Sequence, residues 1–217
     1  MATNPTTPAD WRDLLVKLVD DRWNRELRIY DAYYEGDHLL SFVTAKFRSA
    51  FGALFADLTD NWMPLVVDSA AERLRVQGFR FDDDADQEAW DIWQANGLDA
   101  QANMVHTEAI KLGEAYWLVQ PNGDTPRITS EHPSQVIVAH APGDRRVRLA
   151  ALKRWTDEDG FAYANVYLPQ GVVKYRTVKR LSKMGSLPKK KRWQEIDRQG
   201  NPLGVVPVVP MANNPTM

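Results

Sequence analysis

Residues 98–123, LDAQANMVHTEAIKLGEAYWLVQPNG, form the segment around which the fold is organised. Five apolar side chains recur at spacings of four and three and therefore share one helical face: Leu98, Ala102, Val105, Ala109 and Leu112. Asp99 is the predicted N-cap, and Gly113 suits the left-handed position that follows a helix C-terminus. The segment therefore predicts a helix that ends at a glycine.

An apolar strand follows this helix directly. Residues 115–119 are apolar and aromatic, and they end at Pro121-Asn122-Gly123, which is typical of a buried strand that closes in a tight turn. Most residues before the segment follow a helical period, and most residues after it alternate with a period of two. The segment therefore divides a helical part of the chain from a part built of strands.

The first helix is predicted to begin at Thr7-Pro8-Ala9-Asp10, with a capping box and proline in its first turn, and to continue to Gly36. Its apolar and aromatic side chains keep roughly a helical period, and we interpret them as core packing: Trp11, Leu14, Leu15, Leu18, Trp23, Leu27, Tyr30 and Tyr34.

Further helical patterns lie between residue 36 and residue 98. Residues 41–55 are apolar and compatible with a helix, and residues 79–81 alternate like a short strand. A helix over 86–95 is expected to bury Ala89, Trp90 and Trp93. Another helix begins after Asp60-Asn61 and carries an apolar set of side chains: Leu65, Val66, Ala70, Ala71 and Leu74.

Beyond residue 123 the pattern is that of strands separated by turn residues. The predicted strands are 127–130, 135–140, 147–155, 162–168 and 172–180, and a last hairpin joins 172–181 to 190–196 through a turn at 183–186. Helices first and antiparallel strands second make the class α+β, a helical layer followed by a mostly antiparallel sheet.

The composition is that of a globular protein. Of the 217 residues, 44% are hydrophobic and 26% are charged, which argues against a disordered chain. No apolar run reaches the length of a membrane span, and no signal peptide is recognised at the N-terminus, so we expect intracellular synthesis and no membrane partner. The absence of cysteine excludes a disulfide framework and a thiolate zinc site.

The net charge of −2 hides a strong asymmetry along the chain. Residues 1–108 hold 10 basic and 20 acidic side chains, and residues 109–217 hold 17 and 9, so the halves carry about −10 and +8. Such polarity can direct contacts between copies of the chain or present a basic face to a polyanion. Two solvated surfaces of opposite sign are the simpler alternative.

Residues 174–194 carry no acidic side chain and form the one unusual charge feature. Its cations are the candidate contacts to a neighbouring subunit or to DNA: Lys174, Arg176, Lys179, Arg180, Lys183, Lys189, Lys190, Lys191 and Arg192. Tyr175 and Trp193 accompany them, and a basic hairpin with aromatic side chains can follow a phosphate backbone. A solvated hairpin, or one that pairs with the acidic half of another copy, is the competing interpretation.

The sequence nominates no catalytic residue, cofactor site or metal site. The acidic run that begins at Asp82 fails as a calcium loop, because Gln87 and Trp93 occupy the positions where glycine and glutamate are needed. The four histidines lack metal-ligand spacing, and His106 is expected on a buried helix flank. No phosphate-binding loop and no nucleophile elbow is found, so an enzyme is the third-ranked hypothesis.

Several segments, taken in order, resemble the front half of portal proteins of tailed bacteriophages, of the siphophage type found among actinobacterial phages. They are YYEGDH at 33–38, NWMPLVVDSAAERLRVQGF at 61–79, WQANGLD at 93–99, the helix-glycine-strand step at 106–119, and LGVVPVV at 203–209 before Asn213. Their shared order covers almost the whole chain.

The resemblance implies a structural subunit of a ring, typically a dodecamer, at one vertex of the virion capsid. DNA is packaged and ejected through such a ring, and the partners implied are further copies of the chain, terminase, a head-tail adaptor, capsid and scaffold proteins, and double-stranded DNA. The implied division is an N-terminal helical region at 1–60 and a wing-like α+β domain at 61–217. Residues 203–217 would lead into a stem that is absent here. A nucleic-acid-binding module that uses hairpin 174–193 is the alternative.

Overall fold

The computed structural model describes residues 5–37, 46, 61–180 and 193–213. Apart from residue 46, the predicted helical segment at 41–55 lies outside the described residues, and so does the predicted turn at 183–186. Residues 181 and 190–192 of the last predicted hairpin also lie outside the described ranges, and the other predicted elements are taken below in chain order.

The chain begins with the predicted long helix. Helix α1 is Pro8–Arg22, a π-helical segment follows at Trp23–Leu27, and α2 is Arg28–Glu35. The capping box is confirmed, because the Asp10 backbone N–H donates to Thr7 Oγ1 over 3.2 Å and the Thr7 N–H donates to Asp10 Oδ2 over 3.1 Å.

The π-helical segment changes which side chains of this helix face inward. Leu15 and Val19 are buried in α1, and a regular helix would keep Tyr30 on the same face. One extra residue in a turn rotates everything after it. Leu27 is buried instead, and Tyr30 is 51% exposed, so the predicted core role of Tyr30 is wrong. Leu18, at 39% exposure, is likewise outside the core.

Three more helices and a small hairpin precede the sheets. They are α3 at Met63–Ala71, strands β1 and β2 at Arg80–Phe81 and Asp84–Ala85, α4 at Gln87–Ala95 and α5 at Leu98–Leu112. Helix α3 turns Val67 and Ala71 inward. Leu65 and Val66, expected on its apolar face, are instead 57% and 62% exposed.

Helix α5 follows the prediction except at its start. All five predicted apolar positions are buried, and Gly113 takes the left-handed conformation with φ of 85°. The N-cap is Gly97, with φ of 60°, so the assignment of Asp99 as N-cap is wrong. Asp99 instead accepts hydrogen bonds from Trp93 Nε1 and Gln94 Nε2, over 2.7 and 2.9 Å, which ties α4 to α5.

All the sheet pairings are antiparallel, so the α+β class is confirmed. The strands are β3 Glu114–Gln120, β4 Arg127–Glu131, β5 Val136–Ala141, β6 Asp144–Thr156, β7 Ala162–Leu168, β8 Gly171–Thr177, β9 Trp193–Gly200 and β10 Val208–Ala212. They divide between two sheets, of order β10-β3-β4 and β5-β6-β7-β8-β9. Strands β3 and β4 form the predicted hairpin, but Gln120 pairs with Arg127, so residues 121–126 connect them in a loop that is longer than the predicted tight turn.

The five-stranded sheet has a different neighbour on each face. Its inner face packs against α1 through a cluster that includes Leu15, Val19, Leu152 and Val166. Part of its outer face, including Ala151, is covered by the three-stranded sheet. Because alternate residues of a strand point to opposite faces, Leu152 packs in the cluster with α1 and Ala151 packs in the cluster with the three-stranded sheet.

The three-stranded sheet is itself covered on both faces. Tyr116 and Leu118 of β3 point toward the five-stranded sheet, and Ala115 and Trp117 point toward α4 and α5. The C-terminal strand β10 pairs with β3 as an edge strand, where Pro210 is tolerated because its missing N–H faces no partner. The order is therefore helix α1, five-stranded sheet, three-stranded sheet, helices α4 and α5.

Candidate interaction surface

Strand β8 places the first predicted cations on the outer face of the five-stranded sheet. Val173, Tyr175 and Thr177 are buried on the inner face, and the residues between them, Lys174 and Arg176, point the other way. The positions of these two cations follow directly from the period of two that the sequence shows.

The two cations, and Arg180 beyond the strand, contact groups of the same chain. Lys174 Nζ lies 2.9 Å from Asp197 Oδ2 of β9, and this hydrogen bond lowers the pKa of the exposed Asp197 carboxyl. The guanidinium groups of Arg176 and Arg180 lie 5.1 and 5.7 Å from the centre of the Phe161 ring. The hairpin is therefore less purely basic than residues 174–194 suggest, because β9 brings carboxylates beside them.

Lys179 is exposed and lies two residues beyond the end of β8. Of the nine predicted contact residues, the structure describes Lys174, Arg176, Lys179 and Arg180. The other five lie outside the described residues: Lys183, Lys189, Lys190, Lys191 and Arg192. Their role stays a prediction from sequence.

The two aromatic residues predicted to accompany the cations face the wrong way. Tyr175 is 4% exposed, and the Arg12 guanidinium lies 4.5 Å from its ring centre and 5.6 Å from that of Trp193. Both rings are thus occupied by a cation of α1 on the inner side of the sheet. They are not placed to stack on a nucleic acid at the outer face.

A different pair of aromatic residues lies on the outer face. Trp155 of β6 and Tyr163 of β7 are cross-strand partners, and their rings stack with centroids 5.3 Å apart and planes 6° from parallel. In the next strand Arg176 pairs with Tyr163. Sequence reasoning missed this pair, although the alternation of Lys153 with Trp155 was the signal that could have placed them on one face.

An open depression of about 390 Å³ lies beside this aromatic pair. It is lined by Leu118, Gln120, Gln135, Lys153, Trp155, Asn165 and Tyr167. The residues combine an apolar floor with amide groups and one ammonium group. Lys174 borders it, because Lys174 is the strand partner of Asn165. Aromatic and guanidinium groups on one surface are the composition of protein-binding hot spots.

A second polar cluster lies between the helices and the turn after β4. Lys111 Nζ donates to Asp31 Oδ1 and to Glu108 Oε1, each over 2.9 Å, and Glu108 Oε2 lies 3.1 Å from His132 Nε2. Ser134 donates to His132 Nδ1 from its backbone N–H over 3.1 Å, which fixes the turn. The cluster joins α2, α5 and the β4–β5 turn.

The pKa values in this cluster reflect its pairing. Burial opposes the charge on Glu108 and on Lys111, but in both residues the partners outweigh burial. The pKa of Glu108 lies below its ordinary value because of the contact with His132 and the hydrogen bond from Lys111. The pKa of Lys111 lies above its ordinary value because of its two carboxylate partners. These partners therefore favour the charged forms of Glu108 and Lys111.

Neither a metal centre nor a membrane helix is found in the described part of the chain. Within it, no group of three or more His, Cys, Asp or Glu side chains is placed to hold a metal ion. None of its helices is long and apolar enough to span a membrane. His106 is 7% exposed on the buried flank of α5, as predicted, and burial lowers its pKa.

Comparison with known proteins gives the family. Residues 24–216 match the model of the phage portal protein family of the SPP1 Gp6-like type. The portal protein of Mycobacterium phage D29 is 30% identical over 220 aligned positions, which cover 95% of this chain and 42% of the relative. The portal protein of Mycobacterium phage L5 is 28% identical over 221 positions, with the same coverage. The chain thus spans less than half the length of these relatives, and it belongs to the SPP1 Gp6-like family of phage portal proteins.

Proposed function

We propose that this chain is the front portion of a portal subunit, a structural component of the ring at a capsid vertex through which DNA is packaged and ejected. The observation that carries the proposal is the family match over residues 24–216. The fold supports it physically, since two stacked sheets between helical layers make a stiff block suited to mechanical work. No catalysis is assigned to the chain.

The proposal divides the work along the subunit. Residues 61–217 form the wing-like domain, residues 1–60 form its N-terminal helical region, and residues 203–217 lead toward the stem. In this proposal, channel lining and motor docking are assigned to the part of a portal subunit that lies outside the match, which covers 42% of each of the two relatives. No residue of this chain is therefore assigned to either role.

The partners follow from the same proposal. The chain contacts further copies of itself in a ring, and the whole subunit meets terminase, a head-tail adaptor, capsid and scaffold proteins, and double-stranded DNA. The subunit acts at the portal vertex of the virion after synthesis in the host cytoplasm. No membrane partner and no cofactor is proposed.

The basic surface is proposed as part of the contact between subunits. Lys174 and Arg176 lie on the outer sheet face, Lys179 and Arg180 follow the end of β8, and the N-terminal half of the chain carries the opposite charge. A ring joins different faces of identical subunits, so opposite charge on two faces favours closure over random association. The same role is proposed for the five cations at 183–192.

The test is the native mass of the chain by light scattering after size exclusion, with a matched pair of variants. We expect a particle of several chain masses, and we expect Arg176→Glu with Lys179→Glu to shift it toward the monomer without changing the unfolding midpoint. Arg127→Glu, an exposed arginine on the other sheet, is the control that should leave the mass unchanged. A chain that stays monomeric at all concentrations would contradict self-assembly through this region.

A nucleic-acid-binding module remains the second candidate, because cations and aromatic rings do share the outer face. It predicts affinity for double-stranded DNA that falls steeply as salt rises. The proposed wing-like domain binds DNA little. A titration of labelled DNA at two salt concentrations separates the candidates, and tight salt-sensitive binding lost in the Arg176→Glu variant would favour the module.

A further inference from the structure

The hairpin β1–β2 presents an apolar side chain to solvent. Phe81 is 76% exposed, the highest fraction among the exposed large hydrophobic side chains of the described residues. Asp82, Asp83 and Asp84 follow it, and all three are exposed. An exposed phenylalanine next to three carboxylates suits a partner surface that combines an apolar pocket with positive charge.

The hairpin is held firmly at its base. The Phe79 ring packs on Trp93 and Trp90, with centroids 5.6 and 6.3 Å away, and the Phe79 carbonyl accepts from the Asp86 N–H over 2.9 Å. Arg80 Nη2 donates to the Asp83 carbonyl over 2.9 Å and so closes the turn. Binding through Phe81 therefore costs little conformational entropy, because the hairpin backbone is already fixed.

The depression on the outer sheet face has the complementary character. Its floor includes the apolar rings of Trp155 and Tyr167, and its volume of about 390 Å³ is ample for one phenyl ring. Lys153 in its lining is paired with Glu131 over 2.5 Å, and Lys174 at its border is paired with Asp197 over 2.9 Å. Arg176, one strand beyond the stacked aromatic pair, supplies the positive charge of this basic border. An apolar floor with this guanidinium group beside it suits a phenylalanine flanked by carboxylates.

We infer that Phe81 of one subunit seats in the depression beside Trp155 of the next subunit, with Asp83 and Asp84 facing the basic border. The two surfaces do not meet within one chain, since Phe81 is 76% exposed. They are different faces of identical subunits, so the contact is heterologous and propagates around a ring. The inference rests on the proposed function and adds to it the two surfaces that touch.

The first test uses the absence of cysteine from the chain. Asp83→Cys and Gln120→Cys are made in separate chains, mixed and oxidised. Because Gln120 lines the depression, a disulfide that joins the two different chains is expected, and much less is expected between identical chains. Ser69→Cys, an exposed position on α3, replaces Asp83→Cys in the control and should give no such bond.

The second test measures how strongly the chains associate. Phe81→Ser should weaken the association constant by roughly tenfold or more, because one buried phenyl ring is lost from the contact. Val147→Ser, which alters another exposed apolar side chain at 47% exposure, should leave it unchanged. Both variants should keep the unfolding midpoint of the unmodified chain, since neither residue is in the core.

A charge exchange completes the design. Asp84→Lys and Arg176→Glu should each weaken association when every chain carries the same substitution. Mixing the two variant chains should restore part of it, because each then offers the charge that the other needs. If the substitutions merely destabilised the fold, mixing the two variant chains would not restore association.

The outcomes separate the inference from the proposed function. Assembly that is unchanged by Phe81→Ser, with no mixed disulfide, overturns the inference and leaves the ring proposal standing. If the unmodified chain does not assemble at all, both the inference and the ring proposal are overturned. If double-stranded DNA instead shields Gln120→Cys from thiol labelling and no mixed bond forms, the occupant of the depression is nucleic acid and the inference is wrong.

Discussion

The two halves of the long N-terminal helix are attached to the molecule in different ways. Helix α1 buries Leu15 and Val19 in an apolar cluster under the five-stranded sheet. Helix α2 has no buried residue, and it is attached by the contacts of Asp31 with Lys111 and of Tyr34 with Asp68. The π-helical segment lies between the two halves.

The difference shows that one amphipathic pattern can serve two physical roles. Apolar burial is insensitive to pH and roughly proportional to the area removed from water. Charged contacts depend on pH and on exact geometry. The α1 half is therefore expected to determine global stability, and the α2 half to respond to conditions.

The largest effect is expected on the apolar side. Leu15→Ala should lower the free energy of unfolding by about 2–5 kcal/mol, because Leu15 is fully buried and its loss leaves a cavity. Leu18→Ala, one turn away and 39% exposed, should cost less than about 1 kcal/mol. Urea unfolding at equilibrium measures both. Equal losses would mean that α1 is not fixed by its inner face.

A smaller loss is expected when the charged attachment is broken. Lys111→Met should cost about 2–3 kcal/mol, below the range for fully buried pairs because the Asp31 side chain is 31% exposed. The loss arises because Asp31 and Glu108 would both lose the ammonium group, and Glu108 would keep its contact with His132. Lys17→Met, which removes an exposed lysine of α1, should change the stability by less than about 0.5 kcal/mol.

The charged attachment should also depend on pH. The pKa of Glu108 is lowered from 4.5, so its contribution is present above about pH 4.5 and is lost as the pH falls through the folded-state value. The pKa of Lys111 is raised from 10.5, so its contribution is present below that pH and is lost as the pH rises.

Glu108→Gln measures the acid side of this dependence. The stability difference between the unmodified chain and Glu108→Gln should shrink as the pH falls below 4.5. The difference between the unmodified chain and Leu15→Ala should stay nearly constant over the same range. A Glu108→Gln difference that does not change with pH would show that the carboxylate charge does not hold α2.

The smallest effect is expected at the end of α2. Tyr34→Phe removes the hydrogen bond from the Tyr34 hydroxyl to Asp68, which spans 2.9 Å, and should cost about 1 kcal/mol. The matched control is Tyr30→Phe, because Tyr30 lies in the same helix and is 51% exposed. Amide hydrogen exchange should show faster opening of residues 28–35 in Tyr34→Phe, with α1 unchanged.

Sequence reasoning predicted the elements better than their contacts. The capping box at Thr7, the glycine that ends α5 and the strand 162–168 are local features, and the structure confirms them. The N-cap at Asp99 was wrong because Gly97 begins the helix, and the core role of Tyr30 was wrong because the π-helical segment rotates α2.

The candidate surface was predictable only in part. The outward direction of Lys174 and Arg176 follows from strand periodicity. The pairing of Lys174 with Asp197 depends on the register between β8 and β9, where the ladder shifts after Lys174. The inward direction of Tyr175, toward Arg12, depends on where α1 lies under the sheet.

Local sequence signals were sufficient for the α+β class, the order of helices and strands and the resemblance to portal proteins. Capping residues, glycines and hydrophobic periods act within a few residues, so they can be recognised in the sequence alone. The folded structure was needed to establish that the strands form two stacked sheets and that Trp155 stacks on Tyr163. It also decided that α1 is attached by apolar burial and α2 by charge. These contacts join residues far apart in the chain, and strand register and helix packing bring them together.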